Sequence, residues 1–284
     1  MANQRQVKRR IGTAQNISKI TKAMEMVAAS KMKKAQDQAL AARPYSQALY
    51  DSITTISKAS KVSGHPLLSN HEEGIPVVLV IGTDKGLCGA FNFNLFRFLL
   101  KNFDIENNEF ITVGKKGAIF ITKLGGKILA DFSSPPLVDY VSPIFQTALS
   151  NFLKEEYKSV YLVYNQFISS LRFESIKFCL LPLKMKKEQI ETVKKALPDK
   201  EYLIEPKSME MLEALLKSYL EEKIRGAILE SEAAEHSARM IAMKNATDNA
   251  QEVIYDLILL RNKVRQEKIT YELLDMITAK ESIQ

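Results

Sequence analysis

From Ser208 to Ile277 the chain runs without a proline and with a single glycine, Gly226. Globular helices average about 11–12 residues, so an uninterrupted helical stretch of this length constrains the fold more than any other feature. At about 1.5 Å per residue such a helix reaches about 100 Å. Residues 3 to about 58 show the same helical grammar, with Pro44 inside it, which kinks the helix or is tolerated at a bend, and would reach about 80 Å. Helices of that length need partners. A single chain supplies them by folding its two ends together, antiparallel, with whatever lies between acting as the turn. The steps Ala250, Ile254, Leu257, Arg261, Val264 follow a four-three rhythm with an arginine inside it, a coiled-coil pattern. Further apolar positions on this helix are Leu212, Leu215, Leu216, Leu220, Ile224, Met240 and Met243.

Between the long helices the pattern changes. "PVVLVIG" (76–82), "EFITVGKKG" (109–117), "SVYLVYNQF" (159–167), "SIKFCLLPL" (175–183) and "YLIEP" (202–206) read as strands, the second ending in a turn. Helices are expected over about 117–123 and over 141–157, so Glu155 and Glu156 should lie side by side on a solvated helix. Alternating strands and helices imply a small α/β layer domain. The expected organisation is therefore a terminal helix over 1–58, a turn-rich linker over 59–75, an α/β domain over 76–206 and a second terminal helix over 207–284.

The segment "ITKAMEMVAASKM" (20–32) has no aromatic residue, glycine or proline, and its apolar positions Ile20, Met24, Val27 and Ala28 recur at helical spacing. Small residues allow close approach, and methionines make an adaptable surface. On the C-terminal helix, Ser237, Asn245, Thr247 and Asn249 dilute the apolar stripe, which fits helices enclosed by other proteins better than a self-sufficient bundle.

Net charge is +7, and residues 1–60 hold eleven Lys and Arg against Glu25, Asp37 and Asp51. Eleven minus three is +8, so the N-terminal helix carries the whole positive field and an acidic partner is expected. No stretch is apolar enough to span a bilayer, and the N-terminus lacks the apolar core of a signal peptide.

Little points to chemistry. "IGTDKGLCGAFN" (81–92) follows a strand and is punctuated by glycine, but it lacks both G-K-[ST] and G-x-G-x-x-G, so Gly82, Gly86 and Gly89 are read as shaping a strand-to-helix turn. Asp84 and Lys85 are placed to pair locally. Cys88 has no histidine arranged beside it. Cys88 and Cys179 form no metal site and are expected reduced, and His65, His71 and His236 show no ligand spacing and read as surface or helix-face residues. No catalytic residue, metal or cofactor is expected. The alternative reading is a basic coiled-coil protein that binds nucleic acid through "VKRRIG" and "KMKK".

"KITKAMEMVAASKM", "TDKGLCGAFN", "ARMIAMKNATDNA" and "ITYELLDMI", in that order and spread over the whole chain, resemble the gamma subunit of F-type ATP synthase. The resemblance implies two long terminal helices forming an antiparallel coiled coil, with a central small α/β (Rossmann-like) domain at the foot. It implies a non-catalytic rotor coupling proton-driven rotation of a membrane ring to ATP synthesis or hydrolysis. The implied partners are a ring of three alpha and three beta subunits, the epsilon subunit and the c-subunit ring, with one copy per complex and no nucleic acid. The implied location is peripheral, on the cytoplasmic side of a bacterial inner membrane. By the same resemblance Met24, Arg239, Arg265, Gln266, Thr270 and Glu272 are rotor contacts, with Arg265 and Gln266 as a catch on a beta-subunit loop. Tyr202, Ile204 and Glu205 are implied to face the c ring. After "ITYELLDMI" this chain has Ala279 and Lys280 where the family usually has Gly-Ala, which implies a helix that continues.

Overall fold

The structure, a computed structural model, describes residues 4–59, 65–71, 73–134, 136–183 and 208–281. The expected strand "YLIEP" lies outside the described residues. The elements run α1 (Gln4–Ala59), β1 (Ile75–Ile81), α2 (Phe91–Asn102), β2 (Glu109–Val113), α3 (Lys115–Lys123), β3 (Lys127–Phe132), a 3-10 turn (Leu137–Tyr140), α4 (Val141–Leu153), β4 (Tyr157–Ser169), β5 (Arg172–Leu181) and α5 (Ser208–Glu281). The chain divides into two compact units, one formed by Met1–Ala29 with Arg239–Gln284, the other by Ser30–Ala238.

In the first unit α1 and α5 pair as a coiled coil. On α1, Val7, Ile11, Ala14, Ser18, Thr21, Glu25 and Ala28 are all buried or half-buried, in strict steps of four and three. The answering residues on α5 are Met243, Thr247, Ala250, Ile254, Leu257, Arg261 and Val264, in the same steps. This is the 3.5-residue repeat of a left-handed pair, carried here by small and polar side chains as much as by apolar ones.

The second unit is built on a five-stranded sheet of order β3-β2-β1-β4-β5. β1 pairs parallel with β2 and β4, β2 with β3, and β4 pairs antiparallel with β5. β1 is central, and strands covered on both faces read as continuous apolar runs. Its side chains alternate: Val77, Leu79 and Ile81 join a core with α4 and the terminal helices, whereas Val78 and Val80 join a core with α2 and α3. The first core takes Leu49, Ile53 and Ile56 from α1 and the ridge Leu212, Leu216, Leu220, Ile224 and Ile228 from α5. The second takes Leu95 and Leu99 from α2 and Ile121 from α3. Pro44 sits inside α1 without ending it. Pro44 and Leu40, whose carbonyl its missing N–H would have met, are both exposed, so water solvates the orphan acceptor.

Two expectations, the helix through Glu155 and Glu156 and the superficial His65, are corrected. Helix α4 stops at Leu153, and Glu155 adopts φ +61 in the turn into β4, so Glu155 and Glu156 are not on a helix. The charged run 154–156 has no apolar stripe to bury, and the strand takes over at Tyr157. His65 is buried rather than superficial. Its Nδ1 accepts the Leu67 N–H at 3.2 Å, and burial pushes its pKa down, keeping the ring neutral. Asp84 is held by the N–H of Lys115 on the first turn of α3, at 3.0 Å. The apolar stripe Ile20, Met24, Val27, Ala28 is not the seam: Ala28 is buried, Met24 is half-buried, and Ile20 and Val27 are 59% and 57% exposed.

Candidate functional site

The exposed stripe sits on a helix that has two faces to serve. One follows the four-three seam and buries Ala14 and Ala28. The other carries Ile17, Ile20, Met26 and Val27 outward beside Lys19 and Lys22. Large apolar side chains left facing water along a helix mark a surface that meets other proteins. The seam is polar at its middle. Thr21 Oγ1 and Thr247 Oγ1 are 2.7 Å apart across it, one hydroxyl donating to the other, and each also lies within reach of a carbonyl on its own helix, Ser18 for Thr21 at 3.1 Å and Met243 for Thr247 at 2.9 Å. Glu25, one seam step on, is held by Lys22 at 3.0 Å.

The Thr21–Thr247 pair fixes the antiparallel register. Its numbers sum to 268, so Val7 stands opposite Arg261, and Gln4, where α1 begins, stands opposite Val264. Burial on α5 agrees: Val264 is half-buried, and every residue from Arg265 to Ala279 is exposed. The end of α5 is therefore a helix with no partner in α1, bearing Ile269, Tyr271, Leu273, Leu274, Met276 and Ile277 in the open.

The candidate residues fall on these surfaces unevenly. Arg265, Gln266, Thr270 and Glu272 lie together on the unpaired end of α5. Thr270 Oγ1 donates to the Gln266 carbonyl at 3.0 Å, and Glu272 pairs with Lys268 at 3.4 Å. Met24 is half-buried beside the seam and Arg239 is buried on α5. Tyr202, Ile204 and Glu205 lie outside the described residues.

A second polar feature escaped sequence reading: a charged layer between β4, α1 and α5. Burial raises the carboxyl of Glu230, against the pull of Tyr164, Arg43, Lys223 and Gln166. Its Oε2 is buried without a hydrogen-bond partner among the described residues. Burial, with Glu230 alongside, pushes the Tyr164 phenol up. Glu232 is pushed up to about 7, first by burial and then by Glu235, with Lys31 opposing. The Lys223 ammonium lies 5.0 Å from the Tyr219 ring and 6.0 Å from that of Phe178, and burial pushes its pKa down. The available signal was the spacing of Glu230 between Ala227 and Ala234, three and four residues away on the buried side of α5.

The place where a sheet of this topology usually takes a ligand is filled by protein. Connections leave β1 and β4 in opposite directions, which opens a crevice at their carboxyl ends. Here Cys88, from the loop after β1, and Phe91, the first residue of α2, pack there on Ala234 and Ala238 of α5, with Phe167 and Phe173 against them. Asp84 on the Lys115 N–H and the Thr83 carbonyl, which accepts from Lys116 N–H at 2.9 Å, occupy the start of α3. Among the described residues no group of His, Cys, Asp or Glu is placed to hold a metal ion, and no helix is long and apolar enough to cross a membrane.

The profile of the family described as ATP synthase matches residues 3–283. The "ATP synthase gamma chain" of Haemophilus influenzae (strain PittGG) is 38% identical over 291 residues, covering 100% of both chains. This chain belongs to the ATP synthase gamma-chain family. The gamma chain of Akkermansia muciniphila is 36% identical over 292 residues, again covering 100% of each. Among solved structures, the rotor of the Euglena gracilis mitochondrial ATP synthase superposes with a TM-score of 0.66 at 19% identity, covering 94% of this chain and 98% of that one, a likeness of fold alone. The central stalk and c-ring structure of the Tetrahymena thermophila mitochondrial enzyme contains a chain with TM-score 0.56 and 25% identity, covering 80% of this chain and 99% of that one.

Proposed function

We propose that this chain is the central-stalk rotor of an F-type ATP synthase, peripheral to the membrane, coupling ion-driven rotation of a membrane ring to ATP synthesis or hydrolysis in the surrounding subunits. The observation that carries the reading is full-length membership of the gamma-chain family, together with an antiparallel helical pair whose seam mixes small and polar side chains with apolar ones while Ile17, Ile20, Met26 and Val27 face outward. A rotor turns inside a sleeve, and deep complementary locks would trap it at one angle. Methionine, alanine and short aliphatic contacts exchange at low cost. An asymmetric rotor shifts its neighbours only by making different contacts with each of them.

Within that reading Met24 and Arg239 meet an alpha-beta ring, Arg265 and Gln266 engage a beta-subunit loop, and Thr270 and Glu272 belong to the same end of the shaft. Tyr202, Ile204 and Glu205 face the c ring, and the epsilon subunit binds the α/β domain. The domain limits 1–58, 59–75, 76–206 and 207–284 are proposed on the same basis. The excess of cations in residues 1–60 favours an acidic sleeve.

The test is purification of the complex from native membranes with quantified stoichiometry. One copy of this chain for three alpha and three beta subunits is expected. Failure to co-purify, with tight salt-sensitive binding to random duplex instead, would support the nucleic-acid alternative.

A further inference from the structure

We infer that the segment 82–91 and the β4–β5 hairpin form a clasp on α5 at Ala234, Ser237 and Ala238, through which the sheet domain and the part of α5 packed on it, up to Ala238, turn as one body. The inference rests on the rotor reading and names where torque crosses between sheet and helix. A helix lying on a sheet by apolar contact alone is held against lifting off more firmly than against sliding, because such contact is non-directional. The apolar side chains Leu212, Leu216, Leu220, Ile224 and Ile228 make contact of that kind, alongside the Lys223 ammonium over the Phe178 ring and a hydrogen bond from Ser142 to Glu221. Turning resistance needs directional bonds and interlocked shapes, and both occur one or two helical turns further along.

Ser237 Oγ donates to the carbonyl of Ser170 at the tip of the β4–β5 hairpin. Ala234 and Ala238, one turn apart, leave room for Phe91, which is fully buried, and for Cys88. The sheet side of this contact is braced. The Phe91 ring packs on Phe173 with centroids 5.4 Å apart. The Phe91 carbonyl accepts from Asn165 Nδ2 at 3.1 Å, and Ser175 Oγ donates to Asn165 Oδ1 at 2.6 Å, tying the loop to both strands of the hairpin. The loop is knotted on itself: Asn92 Nδ2 donates to Thr83 Oγ1 at 2.8 Å, and Thr83 donates to the Lys85 carbonyl at 2.9 Å. At its start Gly82 lies so close to Gly114 that a Cβ on Gly114 would fall 2.8 Å from the Gly82 carbonyl carbon. The glycine-punctuated motif, which does not cradle phosphate, thereby acquires a use: it presents Cys88 and Phe91 to a helix at fixed height.

Ser237 and Phe173 are positioning residues in this scheme. The test uses the assembled complex in membrane vesicles, with subunit content, ATP hydrolysis and proton pumping measured together. Ser237→Ala combined with Phe173→Ala is expected to leave content normal and to lower protons pumped per ATP hydrolysed by at least about twofold, the low end for residues on a coupling path. Ser237→Thr, which keeps the hydroxyl, restores the ratio in the Phe173 wild-type background. An unchanged ratio at normal content overturns the clasp. Should the double variant fail to assemble, Ser237→Ala alone decides: a lowered ratio at normal content supports the clasp, and an unchanged ratio or a loss of content that Ser237→Thr repairs overturns it. Absence of this chain from the wild-type complex would instead overturn the rotor reading.

Discussion

Replacing Glu232 by glutamine should stabilise the protein at alkaline pH and do almost nothing in acid. The carboxyl is mostly buried and is held up to about 7, against 4.5 for the free side chain, first by burial and next by Glu235 on the same helix, with Lys31 of α1 opposing. A pKa raised by folding means the fold prefers the neutral acid. Its contribution is therefore fully present below pH 4.5 and is lost as pH rises through 7. The full shift would be worth about 3 kcal/mol at about 1.4 kcal/mol per unit. Solvent reaches part of the side chain and screens it, which reduces the expected cost to about 1–2 kcal/mol. Glutamine has no charge to bury and removes the pH-dependent part. Glu230 is raised in the same direction but is present in both proteins and drops out of the comparison. The assay is urea unfolding of the purified chain, followed by far-UV circular dichroism at pH 5 and pH 8. Glu232→Gln should exceed wild type by about 1–2 kcal/mol at pH 8 and match it closely at pH 5. A difference of the same size at both pH values would refute the argument, because hydrogen bonding or packing rather than ionisation would then account for it.

Other substitutions probe the helical pair. Thr21→Val and Thr247→Val should each cost about 1 kcal/mol of stability, and the double variant should cost less than their sum, as a thermodynamic cycle by urea unfolding would show. Truncation after Val264 removes only the exposed end of α5, so the thermal midpoint should stay within the effect of about 0.5 kcal/mol expected for surface changes, while ATP synthesis by the reconstituted complex is lost. Met24→Lys places a cation at a half-buried position between Lys22 and its Glu25 partner on one side and the exposed stripe on the other. Assembly should survive, with ATP hydrolysis retained and proton pumping reduced, because a desolvated lysine that finds a carboxylate on a neighbour costs about 1–5 kcal/mol to separate. Loss of subunit content in step with pumping would show that Met24 acts as packing.

Sequence alone determined that this chain has two very long helices around a small sheet, because the absence of breakers and the change of period are local properties of the residues. The rhythm Ala250 to Val264 even placed Arg261 on the seam, since a heptad is readable wherever a few positions obey it. Helix α2 was harder: "FNFNLFRFLL" alternates like a strand, and only packing selects Phe91, Leu95 and Leu99 as its buried line. Strand β3 is a half-buried edge, so "KILADF" carries no clean alternation. Which face of "ITKAMEMV" turns inward could not be read from hydrophobicity, because the seam chose Ser18, Thr21 and Ala28 for their size and left Ile20 and Val27 outside. Of the candidate residues, sequence placed Arg265, Gln266, Thr270 and Glu272 on one helix, but their lack of a partner helix follows from a register that only the Thr21–Thr247 contact reveals. The charged layer around Glu230 and Glu232, and the clasp at Ser237, join residues from β4, β5, α1 and α5. Burial and hydrogen-bond geometry are properties of the assembled elements, and no spacing along the chain encodes which distant residue will come to lie against a given carboxylate or hydroxyl.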